Sequence, residues 1–512
     1  MLKIFSSCDE KNNTKEKRNQ IKDSMLNLGL GIGNNQCLYG FVDVVLDSST
    51  SSRKKMKILI LVCSIIALTD ALFYKYMFKH KRKPFNHKPL TDLGDPLILT
   101  PYLKNNQIEE AQRAARVNLS VFQDIPSYAG FFTVDDQSKS NLFFWFFPSR
   151  NDYKNDPVIL WLQGGPGSSG LFGIFSEHGP FIVDSNLNLS IREISWNKNH
   201  SVIYIDQPVG TGFSFTSGNY LASQEEIGLH LYQAVVQFFT LFPDLKENKF
   251  YIAGESYAGK FVPALGYTIL QNNLEASLHV NLKGVLIGNG LTDPVHQLVY
   301  GNYLYQLGLI DKNQLKIFHN LEQKAKDYVT AENYKMGSKV IDEILEFYTN
   351  CTKLNNPYNY LEQDIFITFD YQKFVVQDDV RRAINVGNQY YDIESNGVYN
   401  ALVEDIPKSV APWLAELINN YKVLLYSGQL DVIVAYPLTL NYLQKLSFNG
   451  ADEYKTASRN VWKVNQSVAG YVKYGGNLTE VLVGNASHFA TRDQPENIYD
   501  MLFKFVRNIY LI

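Results

Sequence analysis

The sequence predicts an α/β domain built on a mostly parallel β-sheet, and three observations carry that expectation. Short apolar runs recur with helix-length stretches between them, and several runs end in glycine or proline. One run, Phe250-Tyr251-Ile252-Ala253, turns directly into Gly254-Glu255-Ser256-Tyr257-Ala258-Gly259. A strand that bends sharply into a helix is how such a fold exposes a serine as a nucleophile, with the first free helix amides beside it to hold an oxyanion. The general pattern wants glycine two residues after the serine. Here that position is Ala258, and Gly259 follows.

The N-terminal part reads differently from the rest. Residues 1–55 are polar and lack sustained periodicity, and are taken as a non-native extension with translation starting at Met56. Residues 56–71 read as a signal peptide: the basic cluster Arg53-Lys54-Lys55-Met56-Lys57 precedes an apolar run from Ile58 to Leu68, with small Thr69 and Ala71 beyond it. The run is far shorter than the ~20 residues that span a bilayer, so a stable membrane anchor is not expected. Residues 72–90, with Lys79-His80-Lys81-Arg82-Lys83, read as a basic linker or propeptide.

Past that point the candidate strands are Leu142–Phe147, Val158–Leu162, Val202–Ile205, Phe250–Ala253, Val285–Ile287, Val423–Tyr426 and Val481–Val483. Ile227, Leu231, Val235, Phe238 and Phe239 recur at helical spacing before the Phe250 strand, giving the helix of a crossover unit. Helix-leaning, charged sequence interrupts the alternation over 294–374 and reads as a cap inserted between two parts of the core, 91–293 and 375–512. Aromatic residues at 13% suit a broad sheet under helices, and a formal charge of -3 gives no reason to expect a nucleic-acid partner.

Three of the four cysteines, Cys8, Cys37 and Cys63, lie in or before the signal, so a mature chain keeps Cys351 alone and has no internal disulfide. A chain of this size supplies its stability from a large core instead. Glycan acceptor triplets at Asn118, Asn188, Asn199, Asn350, Asn465 and Asn477 agree with a secreted glycoprotein, whereas glycan on a further one at Asn485 would crowd the site and is not expected.

A serine nucleophile needs a base and a carboxylate to orient it. Of His279, His296, His319 and His488 beyond Ser256, only His488 follows the late strands. Asp431, just past the Val423 strand, keeps the order serine, acid, histidine, whereas Asp493 breaks it. The glycine-rich loop Trp161-Leu162-Gln163-Gly164-Gly165-Pro166-Gly167 offers the Gly165 amide as one oxyanion donor, and the Tyr257 amide is the second. No lysine and Ser/Thr pair follows that loop as a nucleotide cradle requires, and no metal or other cofactor is implied, since no cluster has ligand spacing.

At this point the chain resembles the serine carboxypeptidase family, most closely its vitellogenic carboxypeptidase-like branch. The resemblance lies in Trp161 to Gly167, Glu177-His178-Gly179-Pro180, the stretch Ile205 to Ser214, Gly254 to Gly259, Gly288-Asn289-Gly290, Ser427 to Asp431, and His488 with Asp493-Gln494-Pro495. It implies an α/β-hydrolase fold with a helical cap, peptide or protein substrates with a free C-terminus, and release of the terminal residue through an acyl-enzyme. It also implies that Glu177, Glu255, Gln163 and the Gly164 amide bind the substrate's terminal carboxylate, with the Trp161 indole holding the glutamates. Two close glutamates can share a proton, because both cannot ionise cheaply, so a neutral Glu255 can donate to a carboxylate and activity should favour acid pH. An extracellular or lysosomal destination follows, and the oligomeric state stays open, a homodimer included.

Three positions depart from the family. Gln163 stands where many members have asparagine, Ser168-Ser169 where many have a disulfide cysteine, and Phe489-Ala490-Thr491 where members commonly have Met or Ile, an aliphatic residue and proline. Leaving-residue preference is therefore the least transferable property. Two other functions are kept in view: an esterase or acyltransferase of the same fold, against which Glu255, Glu177 and Gln163 argue, and a catalytically vestigial binding protein.

Overall fold

The computed structural model describes residue 89 and residues 91–511, apart from 124 and 366–368. The expected extension 1–55 and signal 56–71 lie outside the described residues, as does the basic linker 72–90 except for Pro89.

Apolar runs too continuous for a one-sided sheet need cover on both faces, and here they form the centre of a ten-stranded sheet. In chain order the strands are β1 (Tyr128–Asp135), β2 (Ser140–Phe147), β3 (Val158–Leu162), β4 (Phe181–Val183), β5 (Leu189–Ile191), β6 (Ser201–Ile205), β7 (Phe250–Glu255), β8 (Leu282–Gly288), β9 (Lys422–Gly428), β10 (Asn460–Val464), β11 (Ser467–Gly475) and β12 (Leu478–Val483). The sheet runs β1-β2-β6-β3-β7-β8-β9-β12-β11-β10, while β4 and β5 pair apart from it. From β6 to β12 every neighbour is parallel, and the pairs at both edges are antiparallel.

All seven expected strands are present. The ones not foreseen, β1, β10, β11 and the β4–β5 ribbon, are antiparallel. A half-exposed edge strand mixes polar with apolar residues, as in the burial of β10, and so lacks the apolar run that marks a central strand.

Alternation divides the core between the two faces. Val158, Leu160, Leu162, Phe250 and Ile252 point to one face, where the helices Gln224–Leu241 and Ala258–Asn272 cover them. Ile159, Trp161, Tyr251, Ala253, Leu286, Leu424 and Tyr426 point to the other. Ser223 caps the first helix by accepting from the Glu226 amide.

The interruption after Asp293 is helical, with long helices over Lys312–Thr330 and Tyr334–Thr352, the first closed by a reciprocal Asp311/Gln314 capping box. Helices continue to Asn420 before the sheet resumes at β9. Phe318, Val340, Ile344 and Tyr348 form a core that includes Val432, Ala435 and Leu438, so this insertion packs on the segment just beyond Asp431.

Candidate functional site

Ser256 joins β7 to the helix Ala258–Asn272 with a φ of 61°, left-handed backbone that a non-glycine residue adopts only under local constraint. The constraint is visible. The Ser256 amide donates to Gly288 O at 3.0 Å, and the Ser256 carbonyl accepts from Gly259 N and Leu291 N at 2.9 Å each. A Cβ on Gly254 would lie 2.7 Å from the Ala258 Cβ, and one on Gly259 would lie 2.6 Å from Leu291 N. Alanine is therefore accommodated two residues after the serine because its methyl sits over Gly254, while the tight backbone contact falls one residue later. Within Gly254–Gly259 only Ser256 is not fully buried.

The loop after β3 lies directly against this turn. A Cβ on Gly164 would stand 2.7 Å from Glu255 O and 2.8 Å from both Ser256 Cβ and Tyr257 N. Gly165 follows with a φ of 105°. Only glycine lets the two backbones approach this closely, which places the Gly165 and Tyr257 amides in one neighbourhood.

Asp431 and His488 come together at the ends of β9 and β12, both buried, with Asp431 Oδ2 2.8 Å from His488 Nδ1. Asn289 Nδ2 donates to the same Oδ2 at 2.7 Å and Val434 N to Oδ1 at 3.3 Å. His488 Nε2 is buried with no hydrogen-bond partner among the described residues. Asp493 instead accepts from Ser487 N at 2.8 Å, steadying the loop that carries His488.

The insertion contributes to this arrangement. Tyr303 Oη donates to Asp431 O at 3.2 Å, Tyr300 Oη to Ile433 O at 2.8 Å, and His488 N to Tyr358 O at 2.9 Å. The Tyr358 ring stands 5.1 Å from the imidazole. Sequence reasoning does not single out Asn289, Tyr303 or Tyr358 as site residues. Asn289 lies within a motif, Gly288-Asn289-Gly290, that could have pointed to it, but the two tyrosines come from irregular or helical sequence with no local signature.

Glu177 and Glu255 are buried together. Gln163 Nε2 donates to Glu255 Oε1 at 2.8 Å, and the Trp161 indole donates to Gln163 Oε1 at 2.9 Å. The indole N–H thus reaches Glu255 through Gln163. With both carboxyls ionised, neither oxygen of Glu177 nor Oε2 of Glu255 has a hydrogen bond. A proton on Glu255, donated to Glu177, pairs Glu255 Oε2 with one Glu177 oxygen and leaves the other short. Burial is the first cause that pushes Glu177 up to about 7, partly offset by the Glu255 hydrogen bond, His488 and Arg192. Burial, then the charge of Glu177, holds Glu255 well above the usual carboxylate range. Arg192 ties the Glu177 loop down by donating to Gly179 O, Phe175 O and Phe181 O. His178 stacks on Trp196 at 3.8 Å, and burial keeps its pKa well below normal, so it adds no positive charge.

Behind the turn lies a second buried polar cluster. Asp405 Oδ2 accepts from Gln224 Nε2 at 2.7 Å, from Lys260 Nζ at 3.3 Å and from the Tyr257 hydroxyl. Lys260 also donates to Lys408 O at 2.6 Å. Burial lowers the Lys260 pKa to about 8, against the opposing pull of Asp405.

A mostly parallel sheet carrying a left-handed serine between a strand and a helix, with a cap between later strands, defines an α/β hydrolase. The serine carboxypeptidase profile matches residues 119–508, and the chain belongs to that family. It is 46% identical to the venom serine carboxypeptidase of Apis mellifera over 88% of this chain and 99% of that protein. It is 41% identical to the vitellogenic carboxypeptidase of Aedes aegypti over 89% of this chain and 100% of that one. Among solved structures, KEX1(delta)p, a prohormone-processing carboxypeptidase from Saccharomyces cerevisiae, is similar with a TM-score of 0.70 and 25% identity, covering 78% of this chain and 97% of that chain. The protein is a serine-type carboxypeptidase, and its substrates are peptides with a free C-terminus.

Proposed function

We propose that this carboxypeptidase releases C-terminal residues through an acyl-enzyme formed on Ser256, and that the Glu177–Glu255 pair selects the substrate's terminal carboxylate. Ser256 Oγ attacks the last peptide carbonyl while His488 Nε2 takes its proton. Asp431 holds the imidazole through Nδ1, and Asn289 holds Asp431. The Gly165 and Tyr257 amides receive the oxyanion. His488 then protonates the departing amine, and water, deprotonated by the same nitrogen, hydrolyses the ester.

The terminal carboxylate of the peptide meets the protonated Glu255, the second N–H of Gln163 and the Gly164 amide. The observation that carries this reading is the burial of two adjacent glutamates with one proton's worth of hydrogen bonding missing between them. Ionising both would repel the substrate and leave two charges desolvated; Glu177 gives up its proton at about 7 and Glu255, held higher, keeps the last one for the pair, so peptide cleavage is favoured on the acid side of the Glu255 ionisation and declines as that proton leaves. The basic and apolar signature of 53–71 and the exposed acceptors Asn118 and Asn350 support a glycosylated protein of the secretory pathway, extracellular or lysosomal.

Incubation with an N-blocked peptide, its C-terminal amide and a serine-reactive probe tests the reading. Cleavage of the free acid in preference to the amide, with cleavage and labelling both lost in Ser256→Ala, is expected. Equal cleavage of acid and amide would remove the role of the glutamates, and labelling that persists in Ser256→Ala would remove that of the serine.

A further inference from the structure

Tyr426 on β9 is in register with Gly288 on β8, and Gly288 is in register with Glu255 on β7. Register partners point to the same face, so the Glu255 and Tyr426 side chains flank a position that has none. The Tyr426 ring fills that gap: a Cβ on Gly288 would lie 2.3 Å from Tyr426 Cζ and 2.4 Å from its hydroxyl oxygen. The hydroxyl therefore lies over β8, about 4.8 Å, one strand spacing, from the strand that carries Glu255. It is buried and has no hydrogen-bond partner among the described residues. Burial, followed by the charges of Glu255 and Glu177, keeps its pKa well above normal, so it remains a donor at any working pH.

We propose that Tyr426 is a positioning residue of the carboxylate site, its hydroxyl aimed across Gly288 at the Glu177–Glu255 pair as a reserve donor. In the free protein the pair shares its own proton. When a peptide carboxylate docks, Glu255 turns that proton toward the newcomer, and the pair loses its internal hydrogen bond. The Tyr426 hydroxyl supplies the replacement, which keeps both glutamates in place while substrate is bound. The proposal rests on the carboxylate-site reading above and extends it to a residue outside the peptide's reach.

Tyr426→Phe keeps the ring and removes only the donor. Its kinetics on an N-blocked dipeptide with a free C-terminus are compared with those on an N-blocked amino-acid methyl ester, whose departing methanol carries no carboxylate. The same two substrates are run with wild type and Glu255→Gln. A rise in peptide KM of about tenfold, with kcat within about twofold and a smaller change on the ester, is expected. Equal losses on both substrates, or no change on the peptide, overturn the proposal for Tyr426 alone. If Glu255→Gln also leaves the ratio of peptide to ester kcat/KM at its wild-type value, the carboxylate-site reading falls with it.

Discussion

Two buried polar clusters flank the Ser256 turn, and they are built on opposite terms. Behind it, Asp405 gathers Tyr257, Gln224 and Lys260 on one oxygen, and Lys260 donates further hydrogen bonds to the carbonyls of Asp405 and Lys408. In front of it, the glutamate pair lies among atoms with unused capacity: His488 Nε2, His178 Nε2 and the Tyr426 hydroxyl. Burial is equal in the two places, but satisfaction is not: behind the turn, Gln224 Oε1 is the one side-chain atom of the cluster without a partner among the described residues. Buried polar groups that largely pair with one another serve the scaffold, whereas groups kept buried and short of partners are held for something that binds. The rear cluster fixes the Tyr257 side chain and, on the reading proposed above, the amide offered to the oxyanion. On the reading proposed above, the front cluster is reserved for the substrate.

The contrast can be broken by experiment. The largest effect is expected at the turn itself: Ser256→Ala lowers kcat/KM by about 10⁴-fold or more in a peptide-release assay, with the melting temperature nearly unchanged. Next comes the rear cluster. Asp405→Ala strands the Lys260 ammonium and should cost about 3–5 kcal/mol in urea unfolding, far more than Glu255→Gln, which leaves no charge unpaired. The reverse order would mean that the front cluster, not the rear one, is the scaffold.

A third expectation concerns pH. Unfolded, Glu177 loses its proton near 4.5; folded, it keeps it to about 7. Between those values the native state binds more protons than the unfolded one, so stability falls as pH rises through the window and then levels. The change is on the order of 3 kcal/mol for this group. Melting temperatures across pH 4–8 should fall in wild type and fall less in Glu177→Gln. Smallest is Gln163→Ala, expected to raise peptide KM about tenfold while kcat changes little.

Much of this architecture was legible in the sequence because its signals are local. Continuous apolar runs mark the parallel strands, and Gly254, Ser256 and Gly259 mark the turn. The order serine, acid, histidine picks Asp431 over Asp493, and the structure places Asp431, not Asp493, on the imidazole. What was illegible is contributed by distant chain. Asp405 meets Tyr257 from 148 positions away, and nothing in Glu404-Asp405-Ile406 announces a buried ion pair. Tyr303 and Tyr358 hold Asp431 and His488 from the insertion, so the inserted helices also brace the site. The position of Trp161 could be read, but its hydrogen bond to Gln163 depends on side-chain geometry.

The central claim is that one shared proton on Glu177 and Glu255 admits the peptide's carboxylate. Its most direct test is the pH dependence of kcat/KM for a free-acid peptide, divided by that for the methyl ester, in wild type and Glu255→Gln. The account predicts that the wild-type ratio falls as pH rises through the ionisation of Glu255, which lies above that of Glu177, and that the fall is markedly weaker in the variant, whose side-chain amide cannot ionise. A flat wild-type ratio, or an identical fall in the variant, would contradict it.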